Sequence, residues 1–206
     1  VAVGHNSLYS LNAGAHGYNT AVGYKSAEAM TTGIQNTILG AHAGDALTTG
    51  AENVAIGAYA LSTEDAHGAN TAVGNAALMT LDAGANAYNV AVGYDAGKLM
   101  STGISNTLIG SAAGDALTTG DYNVAIGRSA LSTEDAYGYN VAIGAFALLN
   151  QNAADNAFNT AVGYNTGGNI TTGVRNTIMG GSAGDALTTG SDNVAIGYGA
   201  LSAEDT

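Results

Sequence analysis

Asn53-Val54-Ala55-Ile56-Gly57 is the stretch on which the fold turns. Large, small and large side chains alternate between an Asn and a Gly, which is the two-residue period of a β-strand. The alternation reads as Val54 and Ile56 together on a buried face, with Ala55 on the other. Thr20-Ala21-Val22 and Val124-Ala125-Ile126 repeat the pattern. Helix is a poor reading, because β-branched residues and frequent Gly penalise it and no 3.6-residue apolar stripe persists.

Along the chain, the terminal glycine recurs as Gly4, Gly23, Gly40, Gly57, Gly74, Gly93, Gly110, Gly127, Gly144, Gly163, Gly180 and Gly197. The spacing runs 19, 17, 17, 17 and then starts again, so short repeats group in fours into a 70-residue super-repeat. The chain is one array: 1–70, 71–140 and a truncated 141–206. Strands in constant phase imply stacked parallel coils, an all-β parallel solenoid or β-roll of about twelve coils of 17 or 19 residues, roughly 55 Å long.

Each column then acquires a task. The corner glycines permit positive φ at the strand end. Asn19, Asn36, Asn53, Asn70, Asn89, Asn106, Asn123, Asn140, Asn159, Asn176 and Asn193 precede the strands. They read either as a ladder bonded between successive coils or as simple turn residues, Asn tolerating the left-handed conformation a corner needs. Small residues follow the Gly (Ala60, Ala77, Ala130, Ala200), then a second apolar position (Leu61, Leu131, Leu201, or Leu47, Leu117, Leu187). One coil thus offers about three large apolar side chains. So thin a core, with Ile38, Leu108 and Ile178 on the opposite strand face, predicts cover from identical chains, three around a common axis.

Composition alone points elsewhere. The 206 residues carry a net charge of −12 and no Pro, Cys or Trp. Leu, Ile, Val and Phe stay under the roughly 20% at which a strongly charged chain is read as disordered. The repeat overrides this, since the apolar residues fall in register. No run is long enough to span a membrane, no Cys can staple or bind metal, and four bases give no nucleic-acid footprint. Val1 follows the place where an Asn is due and Thr206 stops inside a coil, so the array is expected to continue.

The sequence Asn-Thr-Ala-Val-Gly-Tyr (19–24, 159–164), Asn-Val-Ala-Ile-Gly (53–57, 123–127, 193–197) and the intervening Thr-Thr-Gly-x-x-Asn resemble a repeat of phage tail-fibre proteins and of tail-fibre-like bacterial surface proteins. Val-Ala-Ile-Gly with a small residue three positions on is also similar to the head repeat of trimeric autotransporter adhesins, with longer coils here. That resemblance implies three packed chains and a role in attachment.

No catalytic constellation emerges, and no cofactor is expected. His5, His16, His42 and His67 all lie in the first super-repeat, where Asn75, Asn86, Ala112 and Tyr137 are their counterparts in the second; they read as drift. No metal site is assigned. Glu64, Asp65 and Asp82 form the one weak candidate, because Asp65 and Asp82 both sit eight residues after their Gly and should stack; a solvated acidic bulge explains them as well. Glu134, Asp135 and Asn152 are the equivalents. Asp45, Asp115 and Asp185 recur only every fourth coil, too far apart to share a cation. The Thr pairs suggest an ice-binding face, but Asp65, Asp82 and Asp135 interrupt that column. Tyr24, Tyr94, Tyr164 and Tyr198 follow the corner Gly and are candidate glycan contacts; shielding of the corner serves equally. Asn169-Ile170-Thr171 is a lone sequon.

The expected function is a structural shaft of an extracellular or virion fibre involved in host or surface attachment. A glycan-binding trimeric adhesin head and a self-assembling bacterial surface filament are the alternatives. Expected partners are identical chains and a cell-surface glycan, with no nucleic acid and no membrane insertion.

Overall fold

The computed structural model describes residues 1–12, 14, 17–134 and 136–202. It is a parallel β-solenoid. Its twelve strands are β1 (Ala2–Val3), β2 (Thr20–Val22), β3 (Thr37–Leu39), β4 (Val54–Ile56), β5 (Thr71–Val73), β6 (Val90–Val92), β7 (Thr107–Ile109), β8 (Val124–Ile126), β9 (Val141–Ile143), β10 (Thr160–Val162), β11 (Thr177–Met179) and β12 (Val194–Ile196). They form one sheet in sequence order. Each strand pairs with the next without slippage, as in Val54↔Thr71, Ala55↔Ala72 and Ile56↔Val73. Each coil takes the number of the strand that opens it. Among the described residues no helix is long and apolar enough to cross a membrane.

The corner glycine is dictated by the neighbouring coil. Gly23 has φ +141, and a Cβ there would lie 2.5 Å from the carbonyl oxygen of Gly40. Gly40, at φ +139, would meet Gly57 in the same way. Each strand end therefore runs backbone against backbone.

Beyond the corner the chain continues as a second inter-coil ladder. Lys25 N–H donates to His5 O (2.8 Å) in the coil before, and Ala27 N–H to Ala43 O (3.0 Å) in the coil after. The alternation requires positive φ at the second and fourth residues after the Gly, as at His42 (φ 55), Tyr59 (φ 59) and Leu61 (φ 50). A left-handed L-residue costs about 1 kcal/mol or more; here each makes a hydrogen bond to an adjacent coil.

The strand faces are the reverse of the sequence expectation. The central residue points inward, Ala21, Ala55 and Ala72 all being fully buried. The flanking large residues point outward: Val22 and Leu39 are 36% exposed and Ile109 38%. The reason is room. The sheet faces the small residue three places after the Gly (Ala43, Ala60, Ala113), with the next apolar position beside it, across a narrow interior. Where the central strand residue is large, the wall recedes. Ile38, Leu108 and Ile178 coincide with Gly44, Gly114 and Gly184, whereas Ala55 and Ala125 coincide with Leu61 and Leu131. A Cβ on Gly114 would lie 2.8 Å from Leu108 Cδ2.

The chain's own coils thus close the interior. Met30, Ile38, Leu47, Leu61 and Leu81 lie wholly inside. Ile38, Leu108 and Ile178, expected to need cover from other chains, are already buried inside this one, and the face left open is the outer one.

Candidate functional site

The outer sheet face carries one column without a break or a charge: Val3, Val22, Leu39, Ile56, Val73, Val92, Ile109, Ile126, Ile143, Val162, Met179 and Ile196. At about 4.8 Å per strand it runs roughly 50 Å. Its parallel column, from Thr20 to Val194, holds only Thr and Val. A uniform aliphatic stripe of this length is unusual on a free surface.

Beside it runs the Asn column, buried from Asn19 through Asn176. The side-chain oxygen of each Asn accepts the backbone N–H of the next, in ten successive bonds of 2.8–3.1 Å from Asn19–Asn36 to Asn176–Asn193. The amide nitrogen reaches the opposite wall: Asn19 donates to Gly33 O (2.7 Å), Asn36 to Gly50 O (2.8 Å) and Asn106 to Gly120 O (2.9 Å). Asn140 Nδ2 is buried without such a partner. The positive φ expected of these asparagines falls instead on the residue before each, as at Tyr18 (φ 48), Gln35 (φ 59) and Glu52 (φ 60).

No family model, curated protein or solved structure matches the chain. Its own geometry is therefore the ground on which a function can be assigned.

Tyr24, Tyr94, Tyr164 and Tyr198 all project from the corners and are exposed. They do not form one row, since they recur at coil intervals with other residues between. Tyr24 has one ring face stacked on His5 (5.5 Å between centroids) and meets His42 edge-on (5.4 Å); His42 stacks in turn on Tyr59 (5.2 Å). A sugar stacking on Tyr24 would compete with these rings. Tyr164 meets Phe146 edge-on at 5.9 Å, and the Arg128 guanidinium lies 4.4 Å over Phe146. Two of the histidines that read as drift therefore belong to an aromatic run. His16 and Asp135 lie outside the described residues.

Glu64, Asp65 and Asp82 do come together, and His67 joins them: one ligand atom from each lies within 4.8 Å of the others. The set offers carboxylate oxygens and an imidazole nitrogen, chemistry that suits a divalent cation. It also has a structural task. Glu64 occupies an interior column between Leu47 and Leu81 and is fully buried, as are Glu134 and Gln151 farther along it. Its oxygens accept the backbone N–H groups of His67 (3.1 Å) and Ala83 (3.5 Å), tying coil 4 to the wider coil 5. His67 Nδ1 lies 3.4 Å from the same carboxylate.

Burial pushes the Glu64 carboxyl above the usual carboxylate range; the His67 and Ala83 N–H groups pull it back and Asp82 adds to the rise. A raised folded-state value means that Glu64 contributes most below the unfolded value of about 4.3 and that this contribution is lost as pH rises through the folded value. Glu64→Gln removes this loss, and Gln151 shows that the column accepts the amide, being fully buried in coil 9. The variant is expected to melt higher than the parent at pH 7 and no higher at pH 4, read by circular dichroism across that range. An equal shift at both pH values would contradict the assignment.

Proposed function

We propose that the chain is a shaft segment of an extracellular or virion fibre, in which three identical chains pack their outer aliphatic stripes together. The observation that carries this reading is the uncharged column from Val3 to Ile196 on the open sheet face. On this face, inside the array, Leu39 at 36%, Ile109 at 38% and Met179 at 42% exposed gain most from cover. The resemblance to tail-fibre and trimeric adhesin repeats supports the same arrangement. The work is mechanical: each coil adds about 4.8 Å and its own hydrogen bonds, so reach grows without a larger core. The acidic surface, −12 per chain, keeps neighbouring fibres apart.

Sedimentation tests it. The parent is expected as a trimer, and the triple variant Ile109→Asp, Ile126→Asp, Ile143→Asp as a monomer with unchanged far-ultraviolet dichroism, because these side chains lie outside the solenoid interior. A parent that sediments as a monomer with full β-structure would overturn the assembly.

A further inference from the structure

The residues that lead into β8 and β9 form an exposed ring stack on the corner beside the Asn ladder. Tyr122 and Tyr139 lie in adjacent coils with centroids 5.1 Å apart and planes 23° from parallel. Phe158, in the next coil, stacks on Tyr139 at 5.1 Å and 22°. All three backbones are left-handed, at φ 57, 64 and 51, which aims the side chains the same way. Tyr122 N–H donates to Ile104 O and Tyr139 N–H to Asp121 O, both at 3.1 Å, fixing the two backbones in register. About half of each tyrosine remains exposed, 48% and 44%.

Nothing in the stack needs the two hydroxyls, since Phe158 fills the same role with none. We propose that Tyr122 and Tyr139 are an oxidative cross-linking site, coupled to dityrosine by a one-electron oxidant of the peroxidase and hydrogen peroxide class. Each phenol gives up one electron and one proton. The two phenoxyl radicals then join through the ring carbons ortho to oxygen, and the hydrogen on each of those carbons moves to the phenolic oxygen. Hydrogen peroxide takes up the two electrons and two protons and leaves as two waters. The product is a covalent bond between successive coils, with the chain lighter by two hydrogens.

Selectivity comes from the placement. This is the one stacked pair of tyrosines among the ring contacts of the described residues. The chain has neither Cys nor Trp to consume the radical first; Met30 and Met100 are fully buried, and the exposed Met179 lies on the outer face of coil 11, away from the pair. Phe158 ends the run because it has no phenol to oxidise.

The full chain is treated with peroxidase and hydrogen peroxide and read by dityrosine fluorescence, intact mass, denaturing gel and peptide mapping. The expected product is an intrachain link between the peptides holding Tyr122 and Tyr139, with a raised melting temperature. Tyr122→Phe and Tyr139→Phe should each abolish the fluorescence, while Tyr88→Phe keeps it. Phe158 shows that the column accepts the substitution, and circular dichroism checks the fold of each variant. Fluorescence that survives Tyr122→Phe, a product linked mainly between chains, or no dityrosine in the parent would each overturn the proposal.

Discussion

Gly40→Ala is expected to disrupt the array around its third coil, with a loss of about 4 kcal/mol or more. Two costs coincide. Gly40 sits at φ +139, outside the regions L-residues occupy, and its new Cβ would lie 2.5 Å from Gly57 O and 2.6 Å from Gly57 C. Both atoms are backbone, held by Gly57 N–H donating to Leu39 O at 2.7 Å, so no side chain can yield. Gly84→Ala is the control. Gly84 also has positive φ, +69, but a Cβ there meets nothing within 4 Å. Its cost should be that of a left-handed Ala alone, about 1 kcal/mol. Urea unfolding of both variants separates the close approach of coils from the conformation; equal losses would mean that the close approach is not what selects glycine.

Asn106→Ala should cost roughly 2–5 kcal/mol. Asn106 Oδ1 accepts Asn123 N–H at 2.8 Å, and Asn106 Nδ2 donates to Gly120 O at 2.9 Å and to Asn89 Oδ1 at 3.2 Å. Truncation leaves a buried N–H and a buried carbonyl unpaired, and a gap that no neighbouring side chain fills. Asn106→Asp should not rescue it. The carboxylate keeps the acceptor for Asn123 but turns an oxygen toward Gly120 O and Asn89 Oδ1, which need a donor. Asn6→Ala is the comparison: its Nδ2 reaches Glu28 at 2.9 Å from a half-buried position, and its loss should stay within about 0.5 kcal/mol. A ladder residue that costs no more than Asn6 would show that the column is turn chemistry alone.

Strand positions, coil length and both invariant columns were legible because the same residue type returns in phase. The faces of the strand were not. Val54-Ala55-Ile56 states a period of two, and period two fits either face equally well. Choosing the bulky face as the inside assumes a wide interior, which the Ala43, Ala60 and Ala113 column contradicts. The left-handed positions were also hidden, since Tyr18, Gln35, Glu52 and Ala69 share no chemistry. A signal did exist in what those columns omit. Neither the residue before each ladder Asn nor the second and fourth after each corner Gly is ever Val, Ile or Thr, the residues that least tolerate positive φ.

His67 escaped the acidic cluster for a related reason. Its counterpart in the next super-repeat is Tyr137, and comparison between repeats favours what they share. In space it completes a group around Glu64 that only the first super-repeat holds among the described residues.

The pairing of a large strand centre with a glycine wall has a consequence for growth. Leu108 reaches past its own coil to Gly97, where a Cβ would also meet Leu78 of the coil before. Coils 5, 6 and 7 are therefore shaped for one another, and coil 6 cannot be exchanged for one with a larger residue at Gly97 without a collision. Such a rod is graduated: it lengthens or shortens in steps of four coils, about 19 Å at a time, like a gauge whose smallest division is the whole block.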